Sequence, residues 1–318
     1  MFLAAGLWTI LVAAARGGNP YPFLLVLAAC GGVLVLTKAA GAMWWAGPAC
    51  VLITGAIVVA LFPHGLLSDR PLSGPFGYTN AKGAFFLQVA VAGLMLAAAA
   101  KSAVPRLLGI AAALASGALS VVSGSVAATL LLLLPTAAAM MRRRGGATGR
   151  RVWAGLFLGA MVISTTFAIA YRPGRPGLLG QMVTSSLSEN RPRLWHEALV
   201  MLRESPLLGT GPGRFQELSP TARRDPDVLW AHHEFLQQGA EAGVPGLLLL
   251  TSLWGWAFVA LGPSDANGRP AELAAAGLSA LGIHACVDGI LHFPLVPLAA
   301  AALVGSGMSR PSSQDPPR

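Results

Sequence analysis

Three short segments gather the residues best suited to chemistry. Residues 190–195 read Asn-Arg-Pro-Arg-Leu-Trp, residues 206–213 read Pro-Leu-Leu-Gly-Thr-Gly-Pro-Gly, and a third run opens at His232 and His233 and ends at Gly243. Imidazole titrates near neutrality and can take a proton from a hydroxyl nucleophile, which makes His232 a candidate general base. The alternative is that His232 and His233 only cap a helix or hold a surface metal. Arg191 offers a guanidinium fork that grips phosphate oxygens; otherwise it is an ordinary solvated or lipid-facing arginine. Backbone amides around Gly209, Gly211 and Gly213 can approach a ligand closely and form an anion-binding nest, a use favoured by Arg214, Arg223 and Arg224 downstream. The same glycines also serve simply to stop a helix. No strand precedes them and no Lys-Ser/Thr follows, which excludes a P-loop or a dinucleotide-binding turn. Glu234 and Glu241 are either helpers of the base or solvated carboxylates. Asp225 and Asp227 flank Pro226 without obvious partners, so neither a metal site nor a cofactor is expected.

The elements that position these groups follow from periodicity. Leu194, Trp195, Ala198, Leu199 and Leu202 recur at helical spacing, which predicts an amphipathic helix lying against the membrane with Trp195 at headgroup level. Arg191, one turn earlier, projects from the same face. A second helix is expected to open at His232 and His233, with His232 and Gly239 on one face, and to be interrupted where Gly243 and Gly246 flank Val244 and Pro245.

Outside this polar island the chain is almost continuously apolar. With 54% hydrophobic and 11% charged residues in 318, it reads as an all-α, polytopic transmembrane helical bundle. About ten spans fit the requirement of roughly 20 residues each. They lie near 2–15, 21–38, 43–62, 83–100, 105–122, 125–141, 152–171, 243–262, 271–290 and 293–308. The first reads as a retained helix and not a cleaved signal. The net charge of +9 fits cytoplasmic flanks and contact with anionic membrane lipids or phosphate, and gives no indication of nucleic acid. Lys38, Lys101, Arg106, Arg142, Arg143, Arg144, Arg150, Arg151 and Arg310 fall on one side, with Arg16 the exception, so both termini are assigned to the cytoplasm. The loop from Phe62 to Gly83 and the island from Arg172 to about Ala240 then face outward, which in a bacterium is the periplasmic or extracellular side. The expected domains are an N-terminal bundle 1–171, an outward loop 172–242, C-terminal helices 243–308 and a cytoplasmic tail 309–318. Cys30, Cys50 and Cys286 sit in apolar runs without CxxC spacing and read as packing residues.

At these residues the chain resembles the O-antigen ligase and polymerase superfamily of integral-membrane glycosyltransferases. The family pattern His-[Asn/Ser/Gln]-x9-Gly-x-x-Gly is reproduced by His232, Gly243 and Gly246, with His233 in place of the amide or hydroxyl. Arg191, Trp195 and the segment 206–213 match the upstream Arg-x-x-x-Trp and glycine-rich elements. Weaker echoes are 74–80, ending in Asn80, and Asp288 with Pro294. The middle-helix Ser-Arg-Gly element becomes Ser123, Gly124 and Ser125, without the arginine, and the chain is about two spans shorter than many relatives.

The resemblance implies an enzyme of the bacterial inner membrane. It would move a glycan from a polyprenyl-pyrophosphate donor to a hydroxyl of lipid A-core, another glycan or a protein, by metal-independent inversion. Arg191 with Arg214, Arg223 or Arg224 would grip the pyrophosphate. His232 would activate the acceptor, while His233, Glu234, Trp195, Gly211, Gly213, Gly243 and Asn80 support the acceptor or the loop. Ligase, polymerase and protein O-oligosaccharyltransferase share this chemistry. A different class, a transporter of a lipid-linked or anionic solute, would use intramembrane ionisable groups such as His284, Asp288 and His292.

Overall fold

The computed structural model describes residues 1–63, 76–140, 146–171, 190–261 and 268–309. Part of the first outward loop (64–75, including the beginning of the 74–80 echo), Arg142, Arg143 and Arg144, the opening of the island (172–189) and everything from Arg310 lie outside the described residues. The described residues form helices and connecting turns, with no strand among them.

Thirteen α-helices follow in order among the described residues. They are α1 (Phe2–Arg16), α2 (Tyr21–Ala39), α3 (Ala46–Leu61), α4 (Thr79–Ala99), α5 (Ala103–Val122), α6 (Val126–Leu131), α7 (Leu133–Met140), α8 (Gly146–Ala170), α9 (Asn190–Glu204), α10 (Phe215–Leu218), α11 (Glu234–Ala260), α12 (Gly268–Ala285) and α13 (Leu295–Met308). Each of the ten expected segments coincides with helix over most of its length. Six stretches are long and apolar enough to cross a membrane, namely 21–39, 41–61, 79–99, 103–122, 149–170 and 234–260. Shorter apolar helices occupy 2–16, 126–140 and 295–308. The architecture is an all-α polytopic membrane bundle.

The chain divides into two compact units. The larger contains 28–157, 256–284 and 293–318, and α4 is its hub. A helix that is apolar all round is stable only when surrounded, and α4 is buried along nearly its whole length, packed against α3, α5 and α13. Small residues let these backbones close up. A Cβ on Gly93 would lie 2.7 Å from Gly109 O, and one on Gly47 would lie 2.9 Å from Ala302 O. Polar side chains bind across helices where no water competes. Gln88 Nε2 donates to Gly277 O (3.1 Å), Ser120 Oγ to Gly83 O (2.9 Å) and Ser279 Oγ to Trp153 O (2.9 Å). Ser125 caps α6, its Oγ accepting from Ala128 N at 3.2 Å. Leu25, Val35 and Leu36 on α2 stay exposed, as lipid-facing side chains do.

The other unit comprises 1–27, 158–255 and 285–292 and carries the histidines and arginines of interest. Its core is built on α9. Leu194, Trp195, Ala198, Leu199 and Met201 pack with Ala168, Phe215, Ala222, Ala231, Leu236 and Ala240. The apolar stripe read from the sequence is therefore real, but it faces protein. Trp195, at 2% exposure, is a core residue and not a headgroup anchor. The periodicity of an amphipathic helix is the same whether its apolar side meets lipid or its own chain.

Candidate functional site

α11 has two parts. Gly243 breaks it with φ 71° and ψ −174°, a conformation essentially restricted to glycine. A helix end leaves carbonyls unpaired, and here neighbouring segments supply the donors. Thr210 N donates to Ala240 O (2.9 Å), Gly211 N to Glu241 O (3.0 Å) and Trp8 Nε1 to Ala242 O (2.8 Å). In return Val244 N donates to Pro206 O at 2.8 Å. The approach is close enough that a Cβ on Gly243 would stand 2.2 Å from Leu207 O, and one on Gly209 would stand 2.4 Å from the Glu241 carbonyl carbon.

The glycine-rich turn thus seats the break in α11. Of the glycine amides offered to an anion, those of Gly209 and Gly211 donate to backbone carbonyls and that of Gly213 to a carboxylate of the chain itself: Glu241 accepts from Gly213 N (2.8 Å), Phe215 N (3.2 Å) and Gln237 Nε2 (3.2 Å). Arg214 braces the same turn, donating to Arg16 O (3.0 Å) and pairing with Glu217 (3.2 Å). Arg16, the exception in the charge pattern, donates to Ser205 Oγ of this unit at 3.3 Å.

His232 lies before α11 and not on it. Its φ of 52° is the only positive value among the described non-glycine residues. The helical face expected for His232 and Gly239 therefore does not exist. Helices start at a cap, and His233 is that cap. Its Nδ1 accepts from Leu236 N (3.3 Å), while Nε2 meets Ser164 Oγ (3.0 Å), so the ring is the Nε2–H tautomer. Complete burial pushes the His233 imidazole down to about 3 and keeps it neutral. The ring nitrogen thus caps α11 in the way a side-chain oxygen commonly does.

The left-handed His232 is held from both ends. Its carbonyl accepts from Trp195 Nε1 (3.0 Å), and its Nδ1 lies 2.7 Å from Asp288 Oδ1. Asp288, 1% exposed, also accepts from Arg191 Nη2 (2.9 Å) and from Gly289 N (2.7 Å). Arg191 Nη1 donates to Val287 O at 2.8 Å. One buried carboxylate therefore joins Arg191 and His232, which stand at 14% and 16% side-chain exposure. With Nδ1–H given to Asp288, the neutral ring keeps its lone pair on Nε2, the arrangement a general base needs.

Other expected groups fall elsewhere. Glu234 and Glu241, offered as helpers or solvated carboxylates, are both buried, and Glu234 Oε1 accepts from Leu291 N at 2.7 Å. Arg223 and Arg224 are exposed on a short 3-10 turn, Ala222–Arg224. That turn is tied to α9 by Glu197, which accepts from Thr221 Oγ1 (2.6 Å), Thr221 N (3.3 Å) and Ser219 Oγ. Asn80 belongs to the larger unit, in the first turn of α4, with Nδ2 donating to Tyr78 OH (3.1 Å). Among the described residues, no group of three or more His, Cys, Asp or Glu side chains is placed to hold a metal ion.

Two positions that organise this cluster were not linked to it from sequence. Asp288 stood out as a weak echo of the family and as an intramembrane ionisable group of the transporter reading, not as a partner of Arg191 and His232, although an acidic residue in an apolar stretch calls for a partner. Glu197 had no signal, because a glutamate on the polar side of a helix looks the same whether solvated or bonded.

Residues 108–251, a little under half of the chain, match the family model described as O-antigen ligase. Over this segment the chain is similar to the O-antigen ligase family. The segment contains Arg191, Trp195, the glycine-rich turn, His232, Gly243 and Gly246, and it ends before Asp288. Members of this family are membrane ligases and polymerases. No curated protein matches the chain.

Proposed function

We propose that this O-antigen ligase-type protein transfers a glycan from a polyprenyl-pyrophosphate donor to an acceptor hydroxyl at the outer face of the bacterial inner membrane. The observation that supports the reading most is the single carboxylate, Asp288, shared by His232 Nδ1 and Arg191 Nη2. An imidazole with its proton fixed on one nitrogen stands ready to accept another, and a guanidinium beside it balances negative charge.

In this mechanism His232 Nε2 takes the proton of the acceptor hydroxyl as its oxygen attacks the anomeric carbon. The bond from that carbon to the pyrophosphate oxygen breaks, and its electron pair leaves with the polyprenyl diphosphate. One displacement inverts the anomeric centre, and the proton on His232 passes to solvent. Arg191 stabilises the growing phosphate charge; a guanidinium carries five N–H donors, so one arginine can hold a carboxylate and a phosphate together. Arg223 and Arg224, exposed on a turn anchored to α9, are the better second pyrophosphate ligands, since Arg214 is engaged in bracing the glycine-rich turn. The acceptor hydroxyl belongs to a lipid A-core, a growing glycan or a protein.

The test is separate substitution of His232→Ala and Arg191→Ala in a strain lacking the native protein, scoring glycan linkage at matched protein level. Loss of linkage in both supports the reading, and normal linkage in both removes the chemistry from this site.

A further inference from the structure

Asp288 and His232 are one of two braces between the segments 230–234 and 288–292. The second joins Trp230, Glu234 and His292, and the mechanism above uses none of these three residues. Trp230 and His292 stack face to face, ring centroids 4.6 Å apart and planes within 9°. Gly289 lies against the indole, where a Cβ would stand in ordinary van der Waals contact at 3.5 Å. His292 Nε2 lies 3.5 Å from Glu234 Oε2, while the other carboxylate oxygen is fixed by Leu291 N.

The two braces differ in a way that bears on their use. The Asp288 pair is short and sealed. The Glu234–His292 pair is long for a charge-assisted bond, and the His292 side chain is 31% exposed, with Trp230 half-buried beside it. A pair at this separation is one that a hydroxyl group can join, accepting from one partner and donating to the other. An aromatic face next to such a pair suits a molecule with an apolar C–H face and a rim of hydroxyls, which is the chemistry of a pyranose ring. Trp230 and Glu234 each stand two residues from His232, and His292 stands one helical turn's worth of sequence beyond Asp288.

We propose that Trp230, His292 and Glu234 form a pyranose-binding subsite beside His232. The sugar's C–H face packs on the aromatic pair, and its hydroxyls engage the imidazole and the carboxylate. Where that sugar belongs in the reaction rests on the glycan-transfer reading; that a sugar binds does not. The ring comes from the acceptor or from the first sugar of the donor, and the two sources are separated by kinetics.

The experiment is direct binding of lactose, maltotriose, chitotriose and mannotriose to the purified full-length protein by saturation-transfer NMR. It uses wild type, Trp230→Leu and Trp230→Phe. At least one saccharide is expected to bind wild type. Trp230→Leu should bind it roughly tenfold more weakly, and Trp230→Phe should restore most of the affinity. No saccharide bound by wild type, or equal binding by folded Trp230→Leu, overturns the subsite. In a transfer assay with lipid-linked donor, a Trp230→Leu increase in KM for acceptor assigns the ring to the acceptor, and an increase for donor assigns it to the donor. Saccharide binding that depends on Trp230, in a protein that transfers no glycan, would refute the transfer reading and leave the subsite standing.

Discussion

Asp288→Asn is the substitution whose outcome the geometry constrains most tightly. The carboxylate accepts three hydrogen bonds, from His232 Nδ1 at 2.7 Å, Gly289 N at 2.7 Å and Arg191 Nη2 at 2.9 Å, at 1% exposure. An amide of the same shape cannot satisfy them all. If its oxygen faces His232 and Gly289, its NH₂ meets the Arg191 guanidinium, donor against donor. If it flips, the NH₂ donates to His232 Nδ1, selects the Nε2–H tautomer and removes the lone pair that accepts the substrate proton. The flip removes the base outright, and the unflipped amide removes the negative charge that stabilises the imidazolium formed on proton transfer, so general-base catalysis falls in both orientations, by about 10²- to 10⁴-fold in kcat. Arg191 also loses its counter-charge. Because its side chain keeps 14% exposure, the cost in stability is set at about 3 kcal/mol at most, the low end for a broken buried pair. The assay is initial-rate glycan transfer by purified Asp288→Asn, with thermal unfolding in the same detergent to separate catalysis from folding. A folded variant keeping kcat within about fivefold of wild type would show that His232 does not depend on this carboxylate.

Three further outcomes test the scaffold. Trp195→Phe deletes the bond from the indole N–H to His232 O, and is expected to cost about 1 kcal/mol in stability and roughly tenfold in kcat as the left-handed His232 loosens; unfolding and initial rates measure both. Gly243→Ala forces a Cβ to within 2.2 Å of Leu207 O at φ 71°, so a loss of about 3 kcal/mol or more and a low yield of folded protein in membranes are expected, read by detergent size-exclusion. His233 is neutral in the folded protein, held down to about 3 by burial, whereas in the unfolded chain it takes a proton near pH 6.5. Below about pH 6.5 the unfolded state therefore binds more protons, and stability should fall as pH falls from there toward the folded value. Thermal midpoints between pH 7.5 and 5 should show this slope, and His233→Asn, which keeps a capping oxygen, should flatten it.

Much of the fold was legible because membrane helices follow from length and apolarity alone. The helix 190–204 was also visible in its periodicity, from Leu194 to Leu202. Its surroundings were not, since the same stripe suits lipid or protein, and so Trp195 moved from the interface to the core. The pairing of Arg191 with His232 was suggested by the order of the motifs. The element that joins them, Asp288, lies 56 residues beyond His232, and no local pattern links the two positions. Helical spacing misplaced His232, because a histidine in a left-handed conformation leaves no trace in periodicity. The glycine-rich turn reads as a helix stop or as an approach to a ligand. Its close approach is instead to the broken end of α11, a feature created only once Gly243 interrupts that helix.

The central claim is that a hydroxyl activated by His232 displaces a polyprenyl diphosphate in one step. A single-turnover reaction of the purified protein in detergent, with an anomerically defined, labelled lipid-pyrophosphate glycan and an excess of acceptor, tests it directly. Direct displacement gives product of inverted configuration, polyprenyl diphosphate released in equal amount, and no product from His232→Ala. Retained configuration, or undiminished transfer by His232→Ala, would contradict it.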